Sequence, residues 1–257
     1  MCYMEYDVVI AGGGASGMMA AALFAGSGLK VALVEKNGQC GRKLLLTGKG
    51  RCNMTNACQW EDFKGHIHPD SGFFRPSFMG FSNRDTVEMF ASMGLQTAVE
   101  RGKRVFPVSG RSADVRDALL SRITGAGNVD ILYNCEVMSV LRSPSGHFVV
   151  EILHSGDRMR MDEIVAPYVI VATGGLSYPV TGSTGDGYRI ARSLGHTVTA
   201  TVPSLVALVP VSYNLSLSGL TLRNVSLSLM VDGGEVQNEF GELTLLRTGL
   251  KGHWGSG

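Results

Sequence analysis

Two stretches of this sequence hold residue types at spacings that could do chemistry. The first is "VVIAGGGASG", where Gly12, Gly14 and Gly17 form G-x-G-x-x-G. The second is "GRKLLLTGKGRCNMTN", residues 41–56. Lys36, Arg42, Lys43, Lys49 and Arg51 precede any acid, since none appears from Lys36 until Glu61. Cations in a glycine-broken segment offer side-chain charge and free backbone N–H groups, which together suit a phosphorylated ligand.

The elements around the first stretch fit that ligand. Tyr6 to Ala11 is a short continuous apolar run, the mark of a buried parallel strand. A helical segment follows the glycines, and Lys30 to Glu35 reads as a second buried strand. This is a β-α-β unit. In it the first glycine permits the turn, the second lets a pyrophosphate approach the backbone, and the third lets the helix pack closely. The helix N-terminus, with Ala15 and Ser16, presents N–H groups to phosphate. Glu35 ends the second strand, where its carboxylate can accept from the hydroxyls of an adenosine ribose and would repel a 2′-phosphate. The unit alone leaves FAD and NAD both open.

The bulk numbers exclude more than they assign. The chain has 257 residues and a net charge of +1, so no global charge argues for nucleic acid. An apolar share of 44% with 18% charge describes an ordinary globular chain. Five cysteines, none in a CxxC pair or at zinc spacing, suggest free thiols in a reducing compartment. The N-terminus does not read as a signal peptide, and no apolar run approaches the ~20 residues of a membrane span, so we expect a cytoplasmic protein without membrane contact.

Further along, "SNRDTVEMFASMG" predicts a helix capped by Ser82 or Asn83 and ended by Gly94. A second helix is expected from about Ser112, with Asp114 in its first turn. Strands are expected near 129–133, 136–142, 147–153 and 167–172, and a glycine turn leads into a short helix over 181–195. "HIHPDSGFFRP" reads as a surface loop that could line a substrate mouth. Beyond it, "HTVTATVPSLVALVPV" and "LRNVSLSLMVDGG" are strand-like and sparsely charged. We therefore expect residues 1–195 to form a Rossmann-like α/β domain and 196–257 to begin a β-rich insert.

"VIVATGG" resembles the second glycine strand of two-dinucleotide-binding flavoproteins, and "GSTGDGYRIA" resembles a segment of the succinate dehydrogenase and fumarate reductase flavoproteins in which the aspartate, Asp186 here, lies by the FAD. Taken with "DVVIAGGGASGMMAA", "GRKLLLTGKGRCNMTN" and "RVFPVSGRSADVRDALL", the chain from about residue 5 to 245 resembles the BaiN-like, or aminoacetone oxidase-like, flavoproteins. That resemblance implies a bound FAD in a two-dinucleotide-binding-type Rossmann domain with a β-rich insert. The expected cofactor contacts are Gly12, Gly14, Ala15, Ser16, Gly17, Glu35, Lys36, Arg42, Lys43, Gly50, Arg51, Cys52, Asn53, Val137, Ala172, Thr173, Gly174 and Asp186. Arg42 and Lys43 would meet phosphate and Arg51 to Asn53 the flavin ring, with Cys52 a small packed residue and not a nucleophile. The implied activity is hydride transfer through flavin N5 to or from a small or nucleobase-type substrate, with NAD(P)H as a candidate electron donor. RNA as a partner rests on Arg101, Lys103 and Arg104 beyond the cofactor loop. The resemblance also implies a C-terminal segment that completes the flavin site, so the sequence reads as a truncated chain. An FAD- or nucleotide-binding fragment without catalysis is accordingly the alternative.

Overall fold

The computed structural model describes residues 3–156, 159–203, 208–212, 214–247 and 249–254. The chain divides into two compact units, residues 1–198 and 199–257.

The first unit begins with β1 (Tyr3–Glu5) and β2 (Val8–Ala11), followed by helix α1 (Ala15–Phe24) and β3 (Val31–Glu35). A short helix α2 (Arg42–Leu46), β4 (Thr55–Asn56), α3 (Trp60–Phe63), α4 (Ser71–Gly80) and α5 (Asn83–Ser92) come next. After β5 (Thr97–Glu100) and β6 (Arg104–Pro107), helix α6 (Ser112–Gly125) leads to four strands: β7 (Val129–Tyr133), β8 (Cys135–Arg142), β9 (Phe148–His154) and β10 (Arg160–Ala166). The unit closes with β11 (Tyr168–Val171) and α7 (Asp186–Ser193).

A parallel sheet in the order β11-β2-β3-β7 is the frame of the site. Every residue of β2 and β3 is buried. That follows from cover on both faces, which replaces alternation with a continuous apolar run. Val8, Ile10, Val31 and Leu33 meet Met18, Ala21, Val115, Leu119 and Ile123 of α1 and α6. Val9, Ala11, Ala32 and Val34 face the other way and meet Val137, Val150, Ile152 and Ile164 from a second sheet, with Ile190 of α7. This second sheet has the order β1-β10-β9-β8. Full burial of such side chains stabilises by roughly 1.5–3 kcal/mol each, so the ends of β2 and β3 form a rigid platform. A small sheet β4-β6-β5 supports the basic loop.

The capping of α5 is by Ser82, which with Asp85 forms a capping box. Three local expectations need correction. A glycine-broken segment of this kind is expected to lack a stable helix, yet α2 forms because its glycines flank it. Gly41 takes a φ of +74° just before the helix, and Leu44 anchors it in the core. "HIHPDSGFFRP" is not all loop either: α4 starts at Ser71 with Asp70 accepting from the N–H of Gly72, and Phe74 and Phe78 stack with Trp60 and Phe63. Finally, β10 went unrecognised because Asp162 occupies one of its inward, fully buried positions, which breaks the apolar period.

The second unit is an antiparallel sheet of β12 (Thr221–Val231), β13 (Gly234–Leu246) and β14 (Gly249–Trp254) in that order. The β12–β13 hairpin turns through Asp232 and Gly233, both at positive φ, the backbone that a two-residue Asp-Gly turn demands. The strand-like reading of "HTVTATVPSLVALVPV" does not hold over residues 196–203, which have no regular structure, and residues 204–207 lie outside the described residues.

Candidate functional site

The glycine turn after β2 is shaped by contacts that only glycine allows. Gly12 has a φ of +105°, and a Cβ there would lie 2.6 Å from the carbonyl oxygen of Ala172 at the end of β11. A Cβ on Gly17 would lie 1.8 Å from the Gly12 carbonyl oxygen, so the first turn of α1 packs directly on the loop. A Cβ on Gly14 would meet nothing within 4 Å. Gly14 is also the N-cap of α1 and supplies no side-chain cap, so the helix N-terminus faces open space.

Glu35, at the end of β3, is buried with its carboxylate held from two sides. Oε2 accepts from the Gly13 N–H at 2.8 Å, and Oε1 accepts from the Asn37 N–H at 2.8 Å and from the Asn37 side-chain amide. A carboxylate has about four acceptor positions, so this arrangement leaves room for one further donor. Beneath it, Cys40 is buried against Gly13. Burial, then the charge of Glu35, pushes the Cys40 thiol up to about 12 against the opposing effects of Tyr133 and Arg116.

The cations of the following segment are tied to the loop between β11 and α7. Lys36 Nζ donates to Thr184 Oγ1 at 2.8 Å and to Asp186 Oδ2 at 2.9 Å. Lys43 Nζ donates to the Ser177 carbonyl and to Ser183 Oγ, both at 2.6 Å. Arg42 donates to Asn37 Oδ1, and the Asn37 amide also reaches the Thr181 carbonyl. Lys36 thus pairs with Asp186, in the first turn of α7, and more distantly with Glu136 of β8 at 3.9 Å.

Further along, Cys52 takes a φ of +59° and is buried in the core, with its thiol raised by burial against a hydrogen bond involving Thr47. A small side chain suits that left-handed position. Arg51 is turned elsewhere: its guanidinium pairs with Glu100 of β5 and lies 4.3 Å from the Phe106 ring centroid.

These elements enclose a cavity of about 600 Å³ within the first unit. Gly12, Gly14, Ala15, Ser16, Glu35, Lys36, Arg42, Lys43, Cys52, Asn53, Val137, Ala172, Thr173, Gly174 and Asp186 all line it. Gly17, Gly50 and Arg51 are not among the lining residues. The sequence reading missed Asn37, Ser183 and an apolar wall of Met54, Phe81, Phe90, Val115 and Leu119. Asn37 could have been found, since a polar residue two beyond the strand-terminal acid can hold that acid. The apolar wall could not, because its residues come from four separate segments. Thr173 Oγ1 is buried at this cavity without a hydrogen-bond partner, which marks a place for a ligand's polar atom. An elongated ligand with anionic, polar and flat apolar parts fits these walls. Among the described residues no group of His, Cys, Asp and Glu could hold a metal ion, and no helix is long and apolar enough to cross a membrane.

Comparison with known proteins bears on the family and the fold. The profile of the HI0933-like protein Rossmann domain matches residues 6–240. A 3-dehydro-bile acid delta(4,6)-reductase of Clostridium scindens is 33% identical over 245 residues, which cover 95% of this chain and 57% of the relative. A ribosomal RNA dihydrouridine synthase of Escherichia coli is 29% identical over 206 residues, covering 80% of this chain and 48% of the relative. The chain thus spans about half the length of these curated relatives. Among solved structures, the open conformation of a flavocytochrome c3 fumarate reductase aligns with a TM-score of 0.53 at 18% identity, over 86% of this chain and 47% of that one; this likeness concerns the fold.

Proposed function

Because this chain belongs to the HI0933-like protein Rossmann-domain family, we propose that it binds FAD in the cavity at the ends of β2, β3 and β11 and forms part of an FAD-dependent oxidoreductase. The observation that carries the reading is the convergence of the glycine turn, Glu35, the basic segment and Asp186 on one cavity. When bound, FAD supplies hydride transfer to or from a substrate through its N5. The residues of the chain hold and orient it. Gly14 and the α1 N-terminus receive pyrophosphate where no side chain intervenes. The free acceptor position of Glu35 takes a ribose hydroxyl. Lys43 and Arg42 stand within the same lining as anion partners, and the apolar wall of Phe81, Phe90 and Leu119 excludes water from the flat part of the ligand.

In this reading residues 1–195 are the cofactor domain. We extend it, from the names of the two curated relatives, to reduction of a carbon–carbon double bond in a small or nucleobase-type substrate, and we add a nicotinamide dinucleotide as the electron donor on the chemistry of flavins alone. The free thiols Cys40, Cys52, Cys58 and Cys135 support a reducing compartment such as the cytoplasm. The test is the absorption spectrum of the purified protein, alone and titrated with FAD. A flavin spectrum, with consumption of NAD(P)H once an acceptor is added, is expected. A colourless protein that takes up no FAD would overturn the reading.

A further inference from the structure

Asn37 belongs to no motif, yet every polar group it has is in use. Its backbone N–H donates to Glu35 Oε1 at 2.8 Å, and its side-chain amide nitrogen donates to the same oxygen. Its carbonyl accepts from the Asn134 N–H at 3.2 Å, between β7 and β8. Its Oδ1 accepts from Arg42, the first residue of α2. Chemistry fixes which way the amide points. A guanidinium only donates and a carboxylate only accepts, so the amide oxygen must face Arg42 and the nitrogen Glu35.

The loop between β11 and α7 closes on the same amide. Asn37 Nδ2 lies 3.5 Å from the Thr181 carbonyl oxygen, and a Cβ on Gly182, whose φ is +106°, would lie 2.8 Å from that nitrogen. The consequence falls on Glu35. Its Oε1 carries both Asn37 donors, while Oε2 carries one, the Gly13 N–H at 2.8 Å. Each carboxylate oxygen has about two acceptor positions, so Oε1 is filled and the open position belongs to Oε2. A carboxylate with both oxygens open can accept from both hydroxyls of a ribose. Glu35, held this way, has room for a single one.

We propose that Asn37 sets the specificity of the ribose subsite: by filling Oε1 it makes Glu35 read one hydroxyl of the cofactor's adenosine ribose and not the other. The inference rests on the FAD reading above and adds how the adenosine end is recognised. Asn37 acts through Glu35, as a positioning residue. Arg42 keeps the amide turned by holding Oδ1, and a guanidinium has further N–H groups to offer an anion.

Displacement of FAD from the full chain by ADP, 2′-deoxy-ADP and 3′-deoxy-ADP, followed by flavin fluorescence, tests this. One deoxy analogue is expected to bind within about twofold of ADP and the other about tenfold more weakly, the loss of one hydrogen bond to a carboxylate. Asn37→Ala opens the second position of Oε1, so the analogue that matched ADP should now fall about fivefold below it. A merely structural role would weaken ADP and both analogues alike. Equal binding of all three, or an equal loss for both analogues, in the unaltered protein would overturn the proposal and require no variant. So would unchanged ratios in Asn37→Ala at an unaltered melting temperature. Should that variant melt early, Asn37→Ser with the same readout decides. If FAD is not taken up, or ADP does not displace it, the cofactor reading fails first and takes this inference with it, before any analogue is compared.

Discussion

Lys36 Nζ lies 2.9 Å from the Asp186 carboxylate, joining the end of the central strand β3 to the first turn of α7 across 150 residues of sequence. Burial pushes the Asp186 carboxyl up, but hydrogen bonds from Lys36 and Thr184 and the charges of Lys36 and Arg189 outweigh it. The net result holds the group below its ordinary value of 3.8.

Stability from Asp186 is therefore present above the unfolded-state pKa and is lost as pH falls through the depressed folded-state value. Asp186→Asn should cost about 1 kcal/mol at pH 7, as expected for a partly buried charge-assisted bond. Denaturant melts should show this difference closing once pH drops below 3.8. A difference that persists undiminished at acid pH would mean packing, not charge, sets the effect.

The glycines of the turn should separate fold from binding. Gly17→Ala drives a methyl into the Gly12 carbonyl and should destabilise by about 3 kcal/mol or more. A Cβ at Gly14 meets nothing within 4 Å, so Gly14→Val should cost no more than about 1 kcal/mol, the loss of a favourable helix N-cap. The same variant should nevertheless lose flavin, because the branched side chain enters the place proposed for pyrophosphate. Titration of both variants with FAD and urea checks the contrast.

Glu35→Ala should weaken the protein even without cofactor. It leaves the Gly13 and Asn37 N–H groups without their acceptor in a buried place, a cost of about 1–3 kcal/mol. Urea melts of flavin-free protein measure this directly. If only flavin-loaded protein were destabilised, the carboxylate's hydrogen bonds to the loop would be incidental to the fold.

Lys43 and Arg51 should differ, although both lie in the same basic run. Lys43→Ala should lower FAD affinity about tenfold, since it removes a charge at the cavity and releases Ser183. Arg51→Ala should change affinity less than about twofold, because its guanidinium is spent on Glu100 and Phe106. Equilibrium titration of FAD with each variant gives the comparison.

The sequence by itself determined the β-α-β unit and the placing of its acid. β2 and β3 are buried on both faces and so read as unbroken apolar runs, and Gly17 stands where a Cβ would strike the Gly12 carbonyl five residues earlier, a local clash. The Ser82 cap and the start of α6 were legible for the same reason, because caps and turns are decided within a few residues. Only tertiary structure decided what the cations do. Lys36 and Arg51 look alike in a charge run, yet one meets Asp186 and the other Glu100, partners set by loops far away in sequence. Asn37 acquires its role because the chain bends back towards Glu35 and Thr181. Asp162 likewise disguised the strand that carries it, β10, because a buried acid interrupts the apolar period by which an inward-facing strand is read.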